Sequence, residues 1–78
     1  MPEYRIKVVD RDGKPRKGAR VIAGDVVYRA ATNADGMAKE VTRGRAEPIR
    51  VPIEITGEGY AVGTTVTLEP DVDCVIEV

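Results

Sequence analysis

The sequence predicts an all-β antiparallel sandwich of about seven short strands, forming one domain over residues 1–78. Three observations predict it. Apolar and polar residues alternate with period two through most of the chain. Turn signals built on Gly, Asp, Asn and Pro interrupt that alternation at roughly eight- to twelve-residue spacing. No window shows convincing helical periodicity.

The first strand follows from Tyr4, Ile6 and Val8, which alternate with Arg5 and Lys7 and leave one wet face. Asp10-Arg11-Asp12-Gly13-Lys14-Pro15 ends it. Asp-Gly supplies the positive-φ position of a tight turn, and Pro15 holds the chain extended before the next strand. Ala19, Val21 and Ala23 mark a second strand, with Arg20 outward. Gly24-Asp25 turns into a third, where Val26, Tyr28 and Ala30 on the core side oppose Val27, Arg29 and Ala31.

Thr32-Asn33-Ala34-Asp35-Gly36 is a turn, and a weak strand over Met37–Thr42 follows it. Neither of its faces is clean, as expected of an exposed edge. Arg43 to Pro48 reads as loop. Ile49, Val51, Ile53 and Ile55 then give the clearest alternation in the chain. Pro52 lacks a ladder donor, so that position is expected to face an edge or a bulge. Gly57-Glu58-Gly59 turns into Tyr60, Val62, Thr64, Val66 and Leu68, and Glu69-Pro70-Asp71 turns into Val72, Cys74, Ile76 and Val78. Seven strands so spaced form the pattern of an immunoglobulin-like sandwich.

Composition narrows the function classes. With 78 residues and neither Phe nor Trp, the core must be built from Val, Ile, Leu, Ala and three Tyr, and is expected to be thin. The 12 basic and 13 acidic residues are interspersed and sum to −1, which argues against nucleic acid or an anionic membrane as partner. No apolar run approaches ~18 residues and no charged-then-apolar leader is present, so neither membrane insertion nor a signal peptide is expected. A single cysteine, Cys74, leaves compartment open. His and Ser are absent from the chain, which makes an enzyme improbable on inventory alone, and no cofactor is expected.

The pattern Asp12-Gly13-Lys14-Pro15, Gly18-Ala19-x-Val21, Thr32-x-x-Asp35-Gly36 and Gly59-Tyr60 resembles the carboxypeptidase-regulatory-like and prealbumin-like domains, a branch of immunoglobulin-like sandwiches. Related patterns occur in bacterial surface repeats of the intimin and collagen-adhesin B type and in phage virion proteins. The resemblance implies a stalk, spacer, accessory or decoration module, a fold-level inference only. The catalytic His and C-terminal Tyr-Arg-Gly-Ser of the prealbumin-like hydrolases have no counterpart here, because the chain ends Val-Ile-Glu-Val. The Lys–Asn isopeptide bond of collagen-adhesin B domains would require an Asn where the last strand offers only Asp73, and Lys7 lies on the polar face with Arg5.

Four features carry candidate chemistry. Asp10, Asp12, Asn33, Asp35 and Glu58 come from loops expected at one end of the sandwich, where their oxygens could bind Ca²⁺ or, with Lys14, a carbohydrate. The plainer reading has the Asp and Asn closing turns, with Lys14, Arg16 and Lys17 neutralising any cation site. Lys14, Arg16, Lys17 and Arg20, and separately Arg43 with Arg45, are basic segments without interleaved aromatics, as on a solvated face. Cys74 shares the apolar parity of its strand and reads as an inert buried thiol. Ile22, Val27 and Val75 fall on the parity assigned to solvent, and clustered on one sheet they would mark a protein-binding face. The expectation is therefore a non-enzymatic structural or interaction module. It would self-associate through a sheet face, not a strand edge, or dock on a larger assembly.

Overall fold

The computed structural model describes residues 2–41 and 47–78. The expected end of the fourth strand at Thr42 and the loop residues Arg43 to Ala46 lie outside that part. The described chain is all-β, with β1 (Glu3–Val9), β2 (Arg20–Ala23), β3 (Val26–Val27), β4 (Met37–Val41), β5 (Ile49–Gly57), β6 (Tyr60–Leu68) and β7 (Asp73–Glu77). Two sheets share them in the orders β4-β1-β7 and β3-β2-β5-β6. All pairs are antiparallel except one. β1 and β7 run parallel, with Arg5 opposite Asp73 and Val9 opposite Glu77. A parallel pair requires a crossover, and here the whole of β2 to β6 intervenes.

The alternation in the sequence is the alternation of the sheets. Tyr4, Ile6 and Val8 of β1, with Ile76 of the adjacent β7, face Val21 and Ala23 of β2, Ile53 and Ile55 of β5 and Leu68 of β6 in one core. Six of the side chains there are fully enclosed, Ile6, Val8, Val21, Ile53, Ile55 and Leu68. None is aromatic, and Tyr4 and Tyr28 supply further bulk to the core. The Tyr28 hydroxyl reaches across to donate to the Tyr4 carbonyl at 3.1 Å. Thr32, the one buried polar side chain among the described residues, accepts from Ala19 N–H and donates to Arg16 O at 2.9 and 2.6 Å. Both of its bonding capacities are used, so its burial carries no desolvation debt.

Val72, expected on the last strand with Ile76, stands before β7 and is 50% exposed. Two further expectations change. The third strand does not run to Ala31 but stops at Val27, and Ala30 is exposed instead of core-facing. Tyr28 turns into the core, and Tyr28 N–H and Thr32 N–H still donate to Val21 O and Ala19 O on the β2 side, but between them Arg29 N–H is taken by Glu40 Oε1 of β4 at 2.7 Å. Secondly, Pro52 lies on an interior strand, since β5 sits between β2 and β6. It is tolerated because the β2 ladder ends at Ala23 opposite Ile53, and at position 52 only the carbonyl is used, by Gly24 N–H at 2.8 Å. The missing donor thus points at a turn.

The β6–β7 connection crosses between sheets through Asp71, the only described non-glycine residue at positive φ (60°). Asp tolerates that conformation better than most residues. Its N–H donates to Glu3 O, and its carboxylate accepts from Glu3 N–H, so the turn is clasped to the start of β1.

Candidate functional site

At the pole where β1 begins and β2, β4 and β6 end, the two sheets part and leave a groove of about 270 Å³. Its depth is formed by Tyr4, Tyr28 and Leu68, all buried core members. Its rim is formed by Val26, Val41 and Ile49, which are among the most exposed large apolar side chains of the described chain. Each rim residue stands at a strand end. Val26 and Ile49 are on the inward parity of their strands, opposite Ala23 and Leu68 respectively. They face inward at a level where nothing described covers them.

The polar groups of the groove are already engaged. Tyr4 OH donates to Glu47 O at 2.6 Å, Tyr28 OH to Tyr4 O, and Glu40 holds Arg29 N–H. Burial, with a smaller contribution from the Glu40 carboxylate, pushes the Tyr28 phenol up to about 12 from 10.0. A phenol held neutral and donating to a carbonyl is a structural element, not a general base. The groove offers apolar contact and shape, not proton transfer.

The expected loop-end cluster divides differently from a metal site. Asp10 Oδ1 accepts from Asp12 N–H and Lys14 N–H, both at 2.9 Å, and Asn33 Oδ1 accepts from Asp35 N–H and Met37 N–H at 2.9 and 3.1 Å. These are side-chain-closed turns. Asp12 and Asp35 stand exposed at the tips. Among the described residues no three His, Cys, Asp or Glu side chains come together as ligands. Both turns dock on the end of β1, with Val8 N–H donating to Gly36 O and Arg16 N–H to Val8 O. In the same region the Arg16 guanidinium lies 5.0 Å over the Tyr60 ring, which itself covers Gly57. The sequence pattern does not reveal that contact, because 44 positions separate the two residues.

Of the three residues expected to bind a partner, the structure brings two together. Ile22 and Val27 are cross-strand neighbours on the outer face of β3-β2-β5-β6, next to Glu54. Val75 is on the outside of the other sheet, beside Lys7. Val27 and Val75 are 56% and 59% exposed, whereas Ile22 is half-buried. That outer face of β4-β1-β7 also carries Met37, opposite Lys7, and exposed Val41, opposite Glu3. Its remaining side chains include an ionic group, with Arg5 bound to Asp73 at 2.6 Å and to Glu3 at 3.2 Å, and Lys39 to Glu3. Lys7 and Asp73 are not opposed, since Asp73 pairs with Arg5. Cys74 packs half-buried against the core, and burial pushes its thiol up. Arg43 and Arg45 lie outside the described residues.

The groove residues Val26, Val41 and Ile49 escape sequence reasoning because their exposure depends on where neighbouring strands stop. Compared with protein-family models, with curated proteins and with solved structures, the chain matches none.

Proposed function

We propose that the domain is a non-enzymatic structural and protein-interaction module, self-associating or seated on a larger assembly such as a virion, pilus or cell envelope. One observation carries this reading: exposed Val26, Val41 and Ile49 converge on a mainly apolar groove whose two tyrosine hydroxyls are both internally bonded. Such a groove suits an inserted apolar side chain of a protein partner. The resemblance to immunoglobulin-like carboxypeptidase-regulatory-like and prealbumin-like modules supports the same class of role. Of the side chains that would serve calcium or carbohydrate, Asn33, like Asp10, is engaged in closing its own turn, while Asp12 and Asp35 stand exposed at the tips.

The test is a pair of amide NMR titrations, one across protein dilution and one with N-acetyl-leucine amide as the apolar probe. The expected result is shifts at Val26, Val41 and Ile49 that vanish in Val26→Asp. A strict monomer at every concentration with no groove response overturns the proposal. A melting temperature raised by millimolar Ca²⁺ would move function to the loop end.

A further inference from the structure

We infer that β6 is a self-pairing edge, through which two copies of this chain join antiparallel into one continuous sheet. This rests on the interaction-module reading above and names its partner. The two sheets leave four edges, β4, β7, β3 and β6. Three are protected in the ways edges usually are. β3 has two residues, β4 carries Lys39 and Glu40, and β7 carries Asp73 and Glu77.

β6 has none of these devices. Its nine residues, Tyr60-Ala-Val-Gly-Thr-Thr-Val-Thr-Leu68, contain no charge and no proline. No described strand covers its far side. The Pro52 strand, expected to face an edge or a bulge, is interior and leaves this edge unprotected.

The register follows from one hydrogen bond. Gly24 N–H donates to Pro52 O, so the backbone groups of position 52 point at β2 and away from β6. Pro52 is opposite Thr65. Antiparallel alternation then aims the N–H and C=O of Ala61, Gly63, Thr65 and Thr67 off the free edge. A second copy related by a two-fold axis at Thr64 engages all of them, with Gly63 against Thr65 and Ala61 against Thr67. On the other face Val62 meets Val66, Tyr60 meets Leu68, and Thr64 meets itself.

Every pair in that register is uncharged, and the β-branched pairs are of the kind that stabilise sheets. Val62, Val66 and Tyr60 are half-buried in one copy, so pairing removes further apolar surface from water. The contact is isologous, each copy presenting the same strand, so it closes at two. These features favour a second copy over an unrelated strand.

Sedimentation equilibrium across a dilution series tests it with wild type, Thr64→Lys, Thr64→Glu and their equimolar mixture. Thr64 is exposed, so both variants keep the fold. Like charges meeting at the axis are expected to weaken self-association at least about tenfold in each variant alone, and the mixture restores it. Thr65→Pro, which deletes an outward N–H, is expected to abolish the dimer as well. A wild-type monomer at all concentrations overturns the inference. So does a dimer indifferent to these three changes. If such a dimer is lost in Val26→Asp, the edge is refuted while the interaction reading stands.

Discussion

Replacing Ile53 by Ala tests the inward register on which the fold depends. Ile53 is 1% exposed, lies mid-strand in β5, and is opposite Ala23 on one side and Thr64 on the other. The change deletes three carbon groups. At about 0.8 kcal/mol each, the transfer loss alone is about 2.4 kcal/mol. Its neighbours Ala23 and Thr64 are too small to fill the space, so a cavity term brings the total to about 3–5 kcal/mol. In a domain of this size, that is a large share of a stability on the order of 5–10 kcal/mol. Urea unfolding followed by circular dichroism at one dilute concentration should show a much lower midpoint with unchanged slope. Glu54→Ala is the control. Glu54 is exposed on the opposite face, beside Ile22 and Gly63, and its loss should cost less than about 0.5 kcal/mol. Equal costs at the two positions would refute the assignment of faces.

Gly36→Ala should destabilise by about 2 kcal/mol or more, because Gly36 combines a φ of 74° with a site where a Cβ would come 2.5 Å from Val8 O. Gly13→Ala, at φ 78° with open space around it, should show only the backbone cost of about 1 kcal/mol, and thermal melts of the two would distinguish them. Stability should decline as pH rises from 10 towards 12. Tyr28 ionises at 10.0 in the unfolded chain but only at about 12 when folded, so the unfolded state releases its proton first. Melting temperatures of wild type and Tyr28→Phe should converge over that window, and parallel curves would disprove it.

Much of the fold is legible because period-two alternation is a local property. Tyr4-Ile6-Val8, Val21-Ala23 and Ile53-Ile55 all face the core as their parity requires. The misread stretch, Tyr28 to Ala31, still alternates well enough. Past Val27 the ladder is irregular: Tyr28 N–H and Thr32 N–H still reach Val21 O and Ala19 O, while Arg29 N–H goes to Glu40, eleven positions away on the other sheet. Pro52 misleads similarly, since its missing donor matters only in relation to where β2 stops. Apolar excess was visible in Ile22, Val27 and Val75, but parity cannot say which sheet a strand joins, and Val75 went to the opposite side. The groove is less legible still, because the ends of six strands must come together before its walls exist.

The parallel β1–β7 pair also has a mechanical consequence. Because these strands run the same way, Glu3 and Glu77 point towards opposite poles of the domain, with the ladder from Arg5–Asp73 to Val9–Glu77 lying between them. Tension applied at the two ends is therefore carried along that ladder, and its hydrogen bonds are sheared together instead of being peeled one at a time. The Asp71–Glu3 clasp and the Arg5–Asp73 ion pair sit at one end of it, and the bond from Val78 N–H to Val9 O at the other. A chain wired this way resists extension through its whole β1–β7 seam at once.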